Sequence, residues 1–174
     1  MNVNVENIAL GGVDHIDIDG TDYPISDSGC VIECNADIAV TPVVGRPEPR
    51  TIVRGLHFVV SVWMLENTLE MLELAWHMTG HVSYSYSGLY NQLYLGIPTV
   101  PTAHAVTVRG WGRLGNGETE RKWREFYFRK AISYELGEQD LGVGNTVYVP
   151  VKFYCYADST QVSGEEFGWV REVI

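Results

Sequence analysis

Apolar residues alternate with polar residues along much of this chain, and a period of two predicts β-strands. The alternation is clearest in Val13–Ile18 and in Ala103–Trp111. In the second segment His104, Val106 and Val108 share one face, because successive side chains of a strand point to opposite sides. Each segment is therefore expected to bury one face and expose the other.

Turn-forming residues separate further extended segments. Asp19-Gly20 is a turn signal, and it predicts a hairpin that joins Val13–Ile18 to a short strand at Tyr23–Ile25. Further strands are predicted from their β-branched and aromatic residues. They are Gly29–Val40, Ile52–Val62, Trp123–Tyr134 and Asn145–Tyr156.

A single α-helix is predicted at about residues 67–79. Asn67 and Glu70 have the spacing of a capping box, and Gly80 suits the residue that follows a helix. The apolar arc of the helix spans about 200°, roughly twice what one sheet covers. The helix is therefore either deeply buried in its own domain or shared with a neighbouring subunit. On the second alternative, the interface residues are Leu69, Met71, Leu74 and Met78.

A proline-rich segment at about residues 41–54 interrupts the strands. Three prolines in eight residues cannot all lie inside a sheet ladder, because proline lacks the amide hydrogen. The segment is predicted to be a long loop or the tip of a projecting hairpin. Its candidate contact residues are Pro42, Arg46, Pro47, Pro49 and Arg50.

The charge is negative and uneven. The chain has 174 residues, which suits a single domain, and a net charge of −10, with no Lys or Arg before Arg46. A basic cluster follows at Arg121–Lys130 and includes Arg121, Lys122 and Arg124. The acidic and basic segments either meet across subunit contacts or form two solvated faces. The negative net charge argues against tight nucleic-acid binding, because such binding needs positive groups that neutralise phosphates.

Motifs of catalysis and membrane insertion are not found in the sequence. There is no nucleophile elbow, P-loop or dinucleotide fingerprint, and no apolar run long enough for a membrane span or signal peptide. His77 and His81 have a ligand-like spacing, but Gly80 falls between them. The spacing of Cys30 and Cys34 suits neither a zinc knuckle nor a redox motif. We therefore expect no enzyme activity, no cofactor, no metal and no membrane anchor.

Two segments resemble a known family. The run from Val59 to Leu72, VVSVWMLENTLEML, is similar to the strand-into-helix signature of major tail tube proteins of long-tailed bacteriophages. The run from Val149 to Asp158, followed by Phe167-Gly168, is similar to the last strand and terminal segment of that family. The order of an acidic start, a projecting loop, a strand, a helix and long strands also matches.

The resemblance implies a mainly β, sandwich-like or barrel-like subunit with one flanking helix. Copies of the chain would form stacked, hexameric rings around a channel for DNA, and the proline-rich loop would join successive rings. The implied partners are the chain itself and other tail proteins, such as a terminator, baseplate or tape measure protein, while DNA passes without tight binding. The implied location is the virion tail, after synthesis in the bacterial cytoplasm.

Two other functions stay open from the residues alone. The first is a β-barrel module that binds a ligand or carbohydrate through stacking aromatic groups. Its candidate residues are Tyr84, Tyr86, Tyr90 and Trp111. The second is a small hydrolase or metal enzyme.

Overall fold

The structure is a computed structural model that describes residues 8–10, 13, 15–41, 50–65, 68–76, 82–84, 91–93, 102–111, 123–136 and 148–173. The strands are β1 (Ile8–Leu10), β2 (His15–Ile18), β3 (Thr21–Thr41), β4 (Arg50–Met64), β5 (Val82–Tyr84), β6 (Asn91–Leu93), β7 (His104–Trp111), β8 (Trp123–Leu136), β9 (Val149–Cys155) and β10 (Gly168–Val173). Helix α1 is Leu69–Ala75.

Six of the strands form a closed barrel. Each strand pairs with the next in the order β3, β2, β7, β8, β9 and β4, and β4 pairs with β3 to complete the circle. Every one of these pairings is antiparallel. Strand β1 adds to β3, and strand β10 adds to β8. The predicted mainly β, barrel-like fold with one flanking helix is thus confirmed.

The barrel interior is apolar because alternate residues of each strand point inward. Strand β9 buries Val149, Val151, Phe153 and Cys155, and its other residues are more exposed. Strand β7 buries His104, Val106 and Val108, which lie on the same face as predicted. The core also includes Ile16, Ile18, Ile25, Cys30, Ile32, Val60, Val62, Met64, Val106, Val108, Phe126, Phe128 and Ala131.

The predicted turn at Asp19-Gly20 joins β2 to β3. Both residues have positive φ angles, 53° and 84°, as expected for the tight turns that suit the twist of a hairpin. The Asp19 carboxylate accepts a 2.7 Å hydrogen bond from the amide of Ala105 and lies 2.7 Å from Nδ1 of His104. The turn is thereby attached to the start of β7, on the far side of β2.

Strand β3 is longer than predicted. The sequence suggested separate strands at Tyr23–Ile25 and Gly29–Val40, whereas β3 runs without a break through both. A shift of register absorbs the turn-forming residues between them, since Ile25 pairs with Met64 and Cys30 pairs with Val62. The same strand therefore contacts β2 near its start and β4 along the rest of its length.

The helix differs from its prediction at its beginning. Thr68, not Asn67, is the N-cap, and its hydroxyl oxygen accepts a 3.2 Å hydrogen bond from the amide of Met71. Glu70 is consequently not the third helical residue, so the predicted capping box is wrong. The helix has seven residues and ends at Ala75, before the predicted end at residue 79. Gly80 lies outside the described residues.

Strands β9 and β10 follow one another along the same edge of β8. Strand β9 pairs with residues 131–136 of β8, and β10 pairs with residues 123–128. The intervening residues, 157–167, leave the sheet and return to it. In the described part of the chain β10 pairs with β8 alone, so it lies outside the closed circuit of six strands and is not joined to β4.

Candidate assembly surfaces

The apolar arc of α1 faces the subunit's own core over part of its width. The helix packs against β8 and β9, and Met71 and Ala75 are fully buried there. Met71 has no surface left for a neighbour, so its expected role in a subunit interface is corrected to a core role. Leu74 is half-buried against the core and Leu69 is also half-buried. Met78 lies outside the described residues.

The proline-rich segment connects the ends of two paired strands. Thr41 pairs with Arg50, and the pairing of β3 with β4 continues from there to the barrel. Residues 50–54 are therefore strand, and the prediction that the loop extends to residue 54 and includes Arg50 is wrong. The connection is residues 42–49, and the hairpin alternative is the correct one. Pro42, Arg46, Pro47 and Pro49 lie outside the described residues.

The outer part of this hairpin extends beyond the rest of the sheet. Strand β9 pairs with β4 only from Phe58 onward, and β1 pairs with β3 only up to Ile32. Within the described residues, Arg50–His57 therefore pairs with β3 alone. At about 3.3 Å per residue, this part of β4 is roughly 26 Å long. Val40, near its end, is 53% exposed. We call residues 33–41 and 50–57 the outer hairpin.

The basic segment is partly neutralised within the chain. Lys130 lies 2.8 Å from the Asp158 carboxylate, and Arg129 lies 3.8 Å from Glu165. Arg124 is half-buried in β8 and also has an interaction partner in the chain. Arg121 and Lys122 lie outside the described residues. Arg129 and Lys130 thus have acidic partners within their own chain, and contacts of Arg121, Lys122 and Arg124 with a neighbour stay a prediction.

A buried carboxylate links three strands on the outer face of the barrel. Glu125 of β8 is only 5% exposed, and it lies 3.3 Å from the Arg109 guanidinium of β7 and 2.8 Å from that of Arg171 on β10. The Arg171 guanidinium also lies over the Trp169 ring, which stacks on Tyr127. Sequence analysis missed this network, although the alternation of charged and aromatic residues in β8 and β10 is its signal.

Two of the residues proposed for the alternative functions lie at strand ends. Tyr84 ends β5 and Trp111 ends β7, while Tyr86 and Tyr90 lie outside the described residues. The described residues contain no group of three or more His, Cys, Asp or Glu that could hold a metal ion. His77 and His81 are not among them.

The described part of the chain has no helix with the length and hydropathy needed to cross a membrane. No protein-family model matches this chain, and no curated protein is significantly similar to it.

Proposed function

We propose that this chain is a structural subunit of a bacteriophage tail tube, which assembles into stacked rings around a channel for DNA. The outer hairpin is the observation that carries this proposal. It uses about half of β4 yet contributes little to closing its own barrel, because only β3 pairs with it among the described strands. An extended, two-stranded projection of this kind is suited to contact a second copy.

A subunit with a closed barrel and a projecting arm is suited to repeated assembly. A head-to-tail contact between different surfaces generates a ring when the rotation closes, and rings stack when a second surface joins them. In this proposal the half-buried residues Leu69 and Leu74 of α1 supply contacts within a ring. The outer hairpin and its connection, residues 42–49, supply contacts between rings.

The charge of the chain suits a channel for nucleic acid. With a net charge of −10, an acidic lumen repels phosphate groups and lets DNA pass without retention. We therefore expect the assembled tube not to retain duplex DNA at moderate ionic strength. Micromolar binding of DNA by the pure protein would contradict the channel role.

The proposal also assigns location and partners. The subunit is made in the host bacterial cytoplasm and belongs to the virion tail. Its main partner is a second copy of itself, and its further partners are other tail proteins, such as a terminator, baseplate or tape measure protein. It has no catalytic role and carries no cofactor.

Negative-stain electron microscopy of the purified protein tests the proposal. We expect rings or tubes of constant diameter with a central channel, and a sedimentation profile that shifts from subunits to large assemblies as concentration rises. A protein that remains monomeric at all concentrations and salt conditions tested, and shows no rings, would overturn it.

A further inference from the structure

An apolar cavity of about 590 Å³ lies between β10 and the β3–β4 hairpin. Its walls come from β3 and β4 on one side and from β8 and β10 on the other. The rings of Phe58, Phe126, Phe128 and Phe167 line it, together with Ile32 and Val170. Phe58 lies 5.5 Å from Phe128 and 5.3 Å from Phe167 between ring centroids, so the aromatic groups form one continuous cluster.

Strand β10 and the residues before it are held against β8 by several contacts. Gly168 has a φ angle of 140°, and a β-carbon there would lie 1.8 Å from the carbonyl oxygen of Tyr127. Only glycine therefore fits at position 168, where the backbone of β10 lies close against β8. The preceding residues, 157–167, are attached to β8 by the Lys130–Asp158 and Arg129–Glu165 contacts. One wall of the cavity is thus part of the strand arrangement.

The shape of the cavity selects a small occupant. Ile32, Phe126 and Phe128 are buried at the base of the cavity, where each is at most 5% exposed. Leu56 and Val170, at the entrance, are 41% and 60% exposed. Cavities of this volume with apolar walls, including those in the mouths of β-barrels, are typical sites for small molecules.

We propose that the cavity beside β10 binds an uncharged, mainly hydrocarbon small molecule that carries an aromatic ring or a short aliphatic chain. The aromatic walls provide apolar contact area, and the cavity volume falls within the range of sites for drug-sized ligands. Cys34 and Leu56 of the outer hairpin also line the cavity, so the tests below measure probe binding and subunit association separately.

The uncharged probe N-phenyl-1-naphthylamine, which fluoresces in apolar surroundings, tests this site in the purified full-length protein. We expect saturable binding with one site per chain. Val170→Lys places a charge at the entrance, which must stay hydrated, and should weaken binding about tenfold or more. Leu56→Lys on the opposite wall provides a second variant with the same expected result.

Val162→Lys is the matched control. Val162 is 66% exposed and does not line the cavity, so this variant should bind the probe like the wild type. Equal probe binding by Val170→Lys, Leu56→Lys and the wild type, with all three folded by circular dichroism, would overturn the proposal. Equal weakening by Val162→Lys would also overturn it, because a general effect of charge would then explain the loss.

Cys34 offers a second measurement, because its thiol lines the cavity. Cys30 and Cys155 are buried, and burial raises the pKa of each to about 12, so N-ethylmaleimide should react first with Cys34. Saturating probe should slow this reaction several-fold, and Cys34→Ser should remove it. An unchanged rate would overturn the proposed location.

Protein concentration separates a small ligand from a second copy. For a small-molecule site, the dissociation constant of the probe should not depend on protein concentration while sedimentation shows single subunits. If probe affinity falls as subunits associate, and Val170→Lys abolishes that association, a second copy occupies the cavity entrance and the proposal is wrong.

Discussion

The hydroxyl group of Ser133 donates a hydrogen bond to the carbonyl oxygen of Leu74 over 2.8 Å, and it joins the inner face of β8 to the last turn of α1. The carbonyl oxygen of Ala75 lies 3.3 Å from the same hydroxyl. The last carbonyl groups of a helix have no partner within it, so a buried helix end needs an outside donor. Ser133, which is fully buried, supplies that donor here.

Ser133→Ala should lower the free energy of unfolding by about 1–2 kcal/mol, because it leaves buried carbonyl oxygens without this donor. Urea titration followed by circular dichroism measures the change. Ser163 is exposed, so Ser163→Ala should unfold at the same urea concentration as the wild type within experimental error. A Ser133→Ala variant with wild-type stability would mean that the bond does not hold the helix.

Leu69→Glu should prevent assembly without unfolding the subunit, whereas Met71→Ala should lower the stability of the subunit itself. Leu69 is half-buried at the first helical position, where a carboxylate is compatible with the helix dipole, so Leu69→Glu should give a folded subunit that does not assemble. Met71 is fully buried, so Met71→Ala should cost about 2–5 kcal/mol of unfolding free energy. Sedimentation and thermal unfolding measure the two effects. Normal tubes from Leu69→Glu would remove α1 from the interface.

Deletion of Val44–Glu48 should leave single subunits or rings but abolish long tubes. The deleted residues lie in the connection of the outer hairpin, so the barrel, whose strands lie elsewhere, should keep its thermal stability. Electron microscopy and sedimentation of the deletion variant check this expectation. Tubes of normal length would refute an inter-ring role for the segment.

Charge reversal at Arg121 and Lys122 should weaken assembly more at low salt than at high salt. Exposed ion pairs contribute only ~0–1 kcal/mol each and are screened by salt, but many repeats add along a tube. Arg124 is left unchanged because it has a partner within the chain. Light scattering across a salt series measures assembly, and Arg121→Gln with Lys122→Gln distinguishes lost attraction from new repulsion. An effect that does not depend on salt would exclude electrostatic contacts at these positions.

Asp158→Asn should destabilise the fold at neutral pH and much less in acid. The hydrogen bond from Lys130, and then those from Thr160, hold the pKa of Asp158 well below its ordinary value near 3.9. The carboxylate therefore stabilises the folded state above that value, and the contribution is lost as pH falls toward the folded pKa. Urea unfolding measures this effect. The difference in unfolding free energy between wild type and variant should be smaller at pH 3 than at pH 7. A constant difference would contradict this linkage.

Local features of the fold were predictable because neighbouring residues determine them. The alternation in Ala103–Trp111 predicted strand β7 and the residues that share each of its faces, and Asp19-Gly20 predicted the first hairpin. The helix start was displaced by one residue because Asn67 and Thr68 are both good N-caps, and only the surrounding packing selects between them. Strand β10, Gly168–Val173, was missed as a separate strand. Its alternation is short, and its only described partner is β8.

Features that depend on distant parts of the chain were not predictable from periodicity. The closure of the barrel requires β2 to pair with β7. The residues near β2 in the sequence do not show which distant strand will pair with it. The cavity lies where β10 pairs with β8 and not with β4. For the same reason, the sequence grouped Arg129 and Lys130 with a surface cluster, although residues near the end of the chain neutralise them.

The order of the barrel strands has a consequence for synthesis on the ribosome. Strands β3 and β4 are complete at Met64, but β9, which covers the other edge of β4, ends only at Cys155. At about 5–20 residues per second, the ribosome needs roughly 5–18 seconds to add the residues between them. During that interval the edge of β4 that β9 later occupies has no partner strand. Nascent chains on one messenger RNA are therefore exposed to mispairing with each other until the C-terminal strands emerge.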